Sequence, residues 1–430
     1  MKHPAGAGLM PDAGCFFYHK SILMILPGSI NISDYNYDLP ADRIAQKPPF
    51  ERDASRLLVF RDGHSSDEQF SGIYRLIPEG STLVFNDTKV VRARLIFTKS
   101  TGGLIEIFCL EPLTPSTDLQ MAFSQRGSSS WSCLVGNSKK WKNEILVMHA
   151  DDKGGWLKAE RKASLGDGCF EIAFSWAPAS LSFSEVLAAA GKVPLPPYII
   201  REPADDDIDR YQTVYAKHEG SVAAPTAGLH FTKAILKRLE AGKCMELGVT
   251  LHVGLGTFRP VNVADIREHI MHREAISVEL STLKSLKSRL GHPVIAVGTT
   301  SARTLESLYW LGVKALAHPH TETLTVDQWD PYEMASSELP GPAEALDALV
   351  SFLESKGLDK YQGSTSLIIV PGYRFRIVNN LITNFHMPQS TLLLLIAAFT
   401  GEAWKDAYSH ALANNYRFLS YGDACMFFRK

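Results

Sequence analysis

The sequence predicts an α/β protein in which a layered α/β domain is interrupted by a compact all-β insertion, and three observations lead there. Several apolar, β-branched runs end in glycine or small polar residues and pass directly into segments of helical period. Between about residues 90 and 192 the text changes to short alternating runs such as VVRARLIF and LIEIFCL, separated by TGG, GNSKKWK and DDKGG. The chain of 430 residues with 45% hydrophobic content can bury a large core, and its length favours two domains or one domain with a big insertion.

Taken in chain order, residues 1–30 mix Gly, Pro and apolar residues without a sustained period, so they are read as a disordered appendage, with Met24 an alternative start. Their apolar stretch, residues 22–26, is too short for the core of a signal peptide. Ordered text begins at Asn31 with NISDYNYDLPADRIAQ. The alternating region is expected to form a small β-barrel or sandwich, which places the α/β domain at 31–92 and 193–430 around an insert at 93–192. Within the α/β part, GVTLHVGLGTF reads as a strand entering a Gly-rich loop. VIAVGTTSARTLESL reads as a strand over Val294–Val297, a turn over 298–301 and a helix from Ala302. LITNFHMPQSTLLLLIAAF repeats the plan. Its apolar run, 392–399, falls far below the roughly 20 residues of a membrane span and is expected to be a buried helix capped by Ser390 or Thr391. Such alternation implies a largely parallel sheet. Residues 316–363, rich in Pro, Glu and Ala, should hold a further helix, ALDALVSFLESKG.

Charge narrows the function. Lys plus Arg number 44 against 46 Asp plus Glu, so the net charge of −2 argues against a protein that coats nucleic acid, and any RNA contact must be a local patch. Six scattered cysteines, Cys15, Cys109, Cys133, Cys169, Cys244 and Cys425, form no CxxC pair and suggest reduced thiols in a cytoplasmic protein.

Polar residues gather at predicted strand ends, where open α/β sheets place their ligands. Asn86 and Asp87 end a strand ahead of Lys89, Arg92 and Arg94. Asp87 could hold a ribose hydroxyl while the cations meet phosphate or carboxylate, or the segment is an Asx turn with solvated charges. In GSVAAPTAGLHFT, small residues allow backbone to approach a ligand, and His230, just before the helix cap Thr232, is a base or a packing residue. His252 is placed inside a strand before Gly254 and Gly256, but Phe258 and Arg259 break the GxGxxG fingerprint. HIMHRE offers His269, His272 and Glu274. It is not HExxH, and in an extended chain His272 and Glu274 face one way while His269 faces the other. Thr299, Thr300 and Ser301 stand where a helix begins, so free N–H groups and the helix dipole favour an anion there, a carboxylate as readily as a phosphate. Thr383, Asn384 and His386 precede the apolar helix, and Tyr421 and Asp423 lie near the C-terminus.

The strings YDLPADRIAQ, RDASRLLVF, FNDTKVVRARL, TGGLIEIF, YQTVYA, GSVAAPTAGLHFT, LHVGLGTFRPV, MHRE, GTTSARTLES, PGYRF, LITNFHMPQSTLLLL and SYGDA resemble, in order and wording, the S-adenosylmethionine:tRNA ribosyltransferase-isomerase family of queuosine biosynthesis. The resemblance runs from about residue 31 to about residue 426. It implies a three-layer α/β domain interrupted by a β-barrel domain. It also implies transfer and isomerisation of the ribosyl unit of S-adenosylmethionine onto the 7-aminomethyl-7-deazaguanine wobble base of tRNA, giving epoxyqueuosine-tRNA, adenine and methionine. S-adenosylmethionine is then a substrate, and no cofactor, metal or membrane is implied; a monomer is the working expectation. A carbon beside a sulfonium is acidic, so a base can start the reaction, and His230, His252, Glu274 and His386 are the candidates. Thr299, Thr300, Arg303, Asp87 and Asn384 are expected to hold the donor, with Lys89 and Arg92 at the RNA backbone.

The chain departs from the family pattern in its N-terminal extension, in extra polar sequence over 116–130, in the segment 316–363, and in Asn379 where Asp is expected. The competing readings are a paralogue with another acceptor, a non-catalytic RNA-binding protein, and a metal hydrolase built on HIMHRE.

Overall fold

The computed structural model describes residues 28–142, 144–149, 155–166, 168–254, 261–334 and 339–429. Met24, Cys15 and most of the predicted appendage lie outside these residues, as do Gly256, Phe258 and Arg259. The end of that stretch is held in place: Ser29 Oγ donates to Asp265 Oδ2 at 3.0 Å, and Ile30 packs against the main core.

In chain order the strands are β1 Arg56–Arg61, β2 His64–Gln69, β3 Thr82–Asn86 and β4 Thr88–Val90, followed by six in the insertion: β5 Arg94–Thr98, β6 Leu104–Thr114, β7 Ser128–Gly136, β8 Leu146–His149, β9 Trp156–Gly166 and β10 Cys169–Ala177. The chain then returns through β11 His218–Ser221, β12 Met245–Leu251, β13 Glu274–Glu279, β14 Val294–Val297, β15 Lys360–Thr365, β16 Asn380–Asn384 and β17 Ala424–Phe428.

Nine strands form one sheet in the order β15-β13-β12-β3-β14-β16-β17-β1-β2. Its centre, β12-β3-β14-β16, is parallel, whereas β13, β15 and β2 join antiparallel, as β17 does against β16. The sheet is therefore mixed where alternation alone suggested largely parallel pairing. The reason is local in β1–β2: Asp62 and Gly63, with φ of 53° and 85°, make the two-residue turn that closes a hairpin and forbids a helical crossover.

Successive strand residues point to opposite faces, and both faces are covered. Leu57, Val59, Leu83, Phe85, Ile295 and Val297 pack with Phe70, Ile73, Phe231 and helix Lys233–Ala241. Leu58, Phe60, Val84 and Ala296 pack on the other side with helices Thr299–Ala317, Pro342–Ser355, Thr391–Thr400 and Trp404–Ala413. Three layers result. Among the described residues no helix is long and apolar enough to cross a membrane.

The insertion forms a separate six-stranded antiparallel sheet, β5-β6-β7-β10-β9-β8, whose outer strands β5 and β8 come back together so that it nearly closes. That closure makes it a barrel, the first of the two all-β forms the alternating text allowed. Leu95, Phe97, Ile107, Trp131, Ile172 and Phe174 fill its interior. The helix Phe183–Ala190 covers one end, started by a Ser182–Glu185 capping box.

Two motif-bearing helices begin as their sequences require. Thr232 Oγ1 accepts from Ile235 N at 3.2 Å, and Ser390 Oγ accepts from Leu393 N at 3.2 Å. The GTTS helix starts earlier than expected, at Thr299, because Gly298 alone makes the turn at φ +91°.

Candidate active site

At the carboxyl ends of β14 and β16 the chain leaves the sheet through small and polar residues that enclose a cavity of about 890 Å3, its mouth included. Its wall comes from residues 223–227, 298–300 and 383–387, closed by Tyr198, Val253 and Ser420. β3 has β12 on one side and β14 on the other, so the cavity lies where the strand order reverses, the position at which open α/β sheets bind ligands.

The first turn of helix Thr299–Ala317 faces this space with N–H groups that have no partner within the helix, at the positive end of its dipole. Ser301 is not part of the wall; its hydroxyl donates back to Val297 O at 2.8 Å. Thr300 Oγ1 and Asn384 Oδ1 are both buried and lack a hydrogen-bond partner among the described residues. Such atoms are uncommon and cost about 1–3 kcal/mol each, so both mark places that a bound molecule would satisfy.

Asn384 is aimed from behind. Its Nδ2 donates to His230 Nε2 at 3.0 Å, and Ser55 Oγ lies 2.7 Å from His230 Nδ1. Since Nε2 accepts, Nδ1 carries the proton and Ser55 receives it. Burial lowers the His230 pKa to about 3, which keeps the ring neutral. His230 is absent from the cavity wall. His386 is on it, with Thr383 Oγ1 2.9 Å from Nε2 and its backbone N–H donating to Tyr408 Oη at 3.1 Å. Burial likewise holds it neutral, with a pKa of about 3.

The remaining candidates lie elsewhere. Glu274 and Arg303 form a buried ion pair, and Arg303 Nε donates to Leu367 O at 3.1 Å; neither lines the cavity. Asp87 and His252 line a second cavity, and His252 stands one residue beyond β12 instead of inside it. Lys89 pairs with Glu219 at 2.9 Å, and Arg92 Nη1 donates to Ala188 O at 2.7 Å, tying β4's end to the barrel's helix. The Asx turn is present, with Thr88 N donating to Asn86 Oδ1 at 3.2 Å. In HIMHRE, β13 starts only at Glu274, so His272 is exposed while Glu274 is buried, and the expected shared face does not form. Among the described residues no group of three or more His, Cys, Asp or Glu is arranged to hold a metal. Asn379 Oδ1 accepts from Val294 N at 2.8 Å at the amino end of β14, and neither residue belongs to the cavity wall.

A family model described as "Queuosine biosynthesis protein" matches residues 32–427. The chain belongs to that family. It is 39% identical over 405 residues to the S-adenosylmethionine:tRNA ribosyltransferase-isomerase of Anaeromyxobacter sp. (strain Fw109-5), covering 93% of this chain and 99% of the relative. It is 40% identical over 402 residues to the enzyme of the same name from Stenotrophomonas maltophilia (strain R551-3), covering 92% and 98%. A solved structure, the S-adenosylmethionine tRNA ribosyltransferase of Thermotoga maritima, is 27% identical, covers 92% of this chain and all of that one, and has a TM-score of 0.44.

In this queuosine biosynthesis protein several wall residues escaped sequence reasoning. Tyr198 and Ser420 are joined by a 2.7 Å hydrogen bond across 222 residues of sequence, a pairing no local pattern reports. Ser55 carried a weak signal, since it sits in the recognisable RDASR string, but its bond to His230 depends on the tertiary fold.

Proposed function

We propose that this protein transfers and isomerises the ribosyl unit of S-adenosylmethionine onto 7-aminomethyl-7-deazaguanine at the wobble position of tRNA, releasing adenine and methionine. The observation that carries the reading is the first cavity, where a helix N-terminus and two unpaired buried polar atoms, Thr300 Oγ1 and Asn384 Oδ1, face one space. The donor's carboxylate would sit at the free N–H groups of Thr299 and Thr300, with the Thr300 hydroxyl donating to it. Asn384 Oδ1, held outward by His230, would accept from an N–H or O–H of the donor. His386 is neutral and on the wall, so it is the histidine best placed to take a proton from the carbon beside the sulfonium. His230 acts through Asn384, and the Glu274–Arg303 pair braces the start of the helix. His252 would act from the second cavity. Lys89 and Arg92, on the segment that leads into the barrel, would meet the RNA backbone.

The test is to incubate the protein with S-adenosylmethionine and tRNA bearing the aminomethyl base, then analyse nucleosides by mass spectrometry. Epoxyqueuosine should form while adenine and methionine are released together. Methylated RNA with S-adenosylhomocysteine would overturn the reading.

A further inference from the structure

A second cavity, of about 840 Å3, lies over β12, β13 and β15 and is shared with residues 117–120 of the barrel. Val249, Leu251, Ile276 and Val278 point into the core beneath the long helix, so Gly248, Thr250, Ser277 and Glu279 line the opposite face. Asp87 is its buried acid, 7% exposed. Thr250 Oγ1 donates to Asp87 Oδ1 at 2.7 Å. Oδ2 faces His218 Nε2 at 3.8 Å, too far for a hydrogen bond. The approach to Oδ2 is kept open by Gly248, where a Cβ would stand 2.7 Å from it. A mostly buried carboxylate that opens on a cavity favours a ligand that brings positive charge and N–H donors. Burial raises the Asp87 pKa, against the opposing pull of the Thr250 hydroxyl and of nearby His218 and Lys217.

The two cavities adjoin. Phe85 pairs with Val297, so the chain turns out to Asp87 and to Gly298 from the ends of neighbouring strands, spaced about 4.8 Å apart. His252 lines the second cavity and Val253 the first. The amine-bearing acceptor and the donor must meet, and this pair of adjoining spaces offers each its own wall: helix N–H groups for an anion on one side, a carboxylate for a cation on the other.

We propose that the second cavity seats the acceptor base of the tRNA, with the Asp87 carboxylate pairing with its aminomethyl ammonium, an inference that rests on the functional reading above. The experiment uses the full chain. Competition binding compares tRNA carrying the aminomethyl base with the same tRNA carrying guanine there, and S-adenosylmethionine binding is titrated separately. Wild type should prefer the aminomethyl tRNA. Asp87→Asn should lose about tenfold or more of that preference, as expected for a lost charge-assisted contact, while affinity for guanine tRNA and for S-adenosylmethionine stays within about twofold. Gly248→Ala, which pushes Oδ2 aside, should reduce the preference in the same direction and serves if Asp87→Asn fails to fold, as judged by melting. A preference unchanged in the folded variants overturns the inference, and so does a fall in S-adenosylmethionine affinity with the preference intact. Wild type that releases adenine yet prefers neither tRNA also overturns it. Wild type that releases no adenine overturns the functional reading itself.

Discussion

A buried hydroxyl that bonds no described residue is a cost in the free protein and a group that a ligand can satisfy. Thr300 Oγ1 is such a group, so Thr300→Val, which removes it at nearly constant size, should weaken S-adenosylmethionine binding. A hydrogen bond to a charged group is worth about 1.5–3 kcal/mol, or roughly ten- to hundredfold in affinity. Calorimetric titration should show that loss while tRNA affinity and its salt dependence hold; the reverse pattern would give the motif to the RNA. Asn379 shows the opposite case. Its Oδ1 accepts from Val294 N, a task either oxygen of an aspartate can do, and its side chain is exposed. Asn379→Asp should therefore leave turnover within about twofold and stability within about 0.5 kcal/mol by urea denaturation.

At the scale of elements, the site depends on the long helix keeping its N-terminus at the end of β14. Helix Thr299–Ala317 is fixed near its far end by a close crossing with Pro342–Ser355, where a Cβ on Gly312 would stand 2.0 Å from Ala345 O. Replacing a helical Gly by Ala ordinarily gains up to about 1 kcal/mol of helix propensity. Here the contact is with backbone, so overpacking at about 1–3 kcal/mol should exceed that gain. Gly312→Ala is predicted to lower the urea midpoint, and an unchanged or raised midpoint would show that the two helices part easily. The same helix is pinned at mid-length by Glu306, whose buried carboxylate accepts from the backbone N–H groups of Arg376, Ile377 and Val378 and from Tyr373 Oη. The GTTSARTLES string thus carries part of the cavity wall in its first turn and a structural anchor in its third.

For the molecule as a whole, the described residues include the buried His230 and His386, with pKa values of about 3, and the half-buried His252, of about 4, each lowered mainly by desolvation and so held neutral. Unfolded, each protonates near its ordinary 6.5, so between that value and the folded one the unfolded chain binds more protons. Their contribution to stability is complete above pH 6.5 and falls as the pH drops, by about 1.4 kcal/mol per unit for each histidine. Carboxyls raised by desolvation, among them the buried Asp87 and Glu306, oppose this as the pH falls, so a single curve does not isolate it. The difference between wild type and His386→Gln does. That difference, measured by urea unfolding, should shrink from pH 7 to pH 5; a constant difference would mean His386 is not held neutral by the fold.

What the sequence determined by itself is what short-range chemistry encodes. The α/β class, the all-β insert, the buried helix after PQST and the caps Thr232 and Ser390 follow from period, composition and hydroxyl placement, and the motif strings alone placed the chain in its family. Tertiary structure decided which side chains meet. Thr300, Asn384 and His386 share a wall because β14 and β16 are paired neighbours, although 80 residues and more separate the segments. Pairing of β3 with β12 sent Asp87 and His252 to a different space, and the fold put His230 behind Asn384. A residue's type limits the chemistry it can do, but whether it faces a ligand depends on strand order and register, and those are set by long-range packing that no local pattern records.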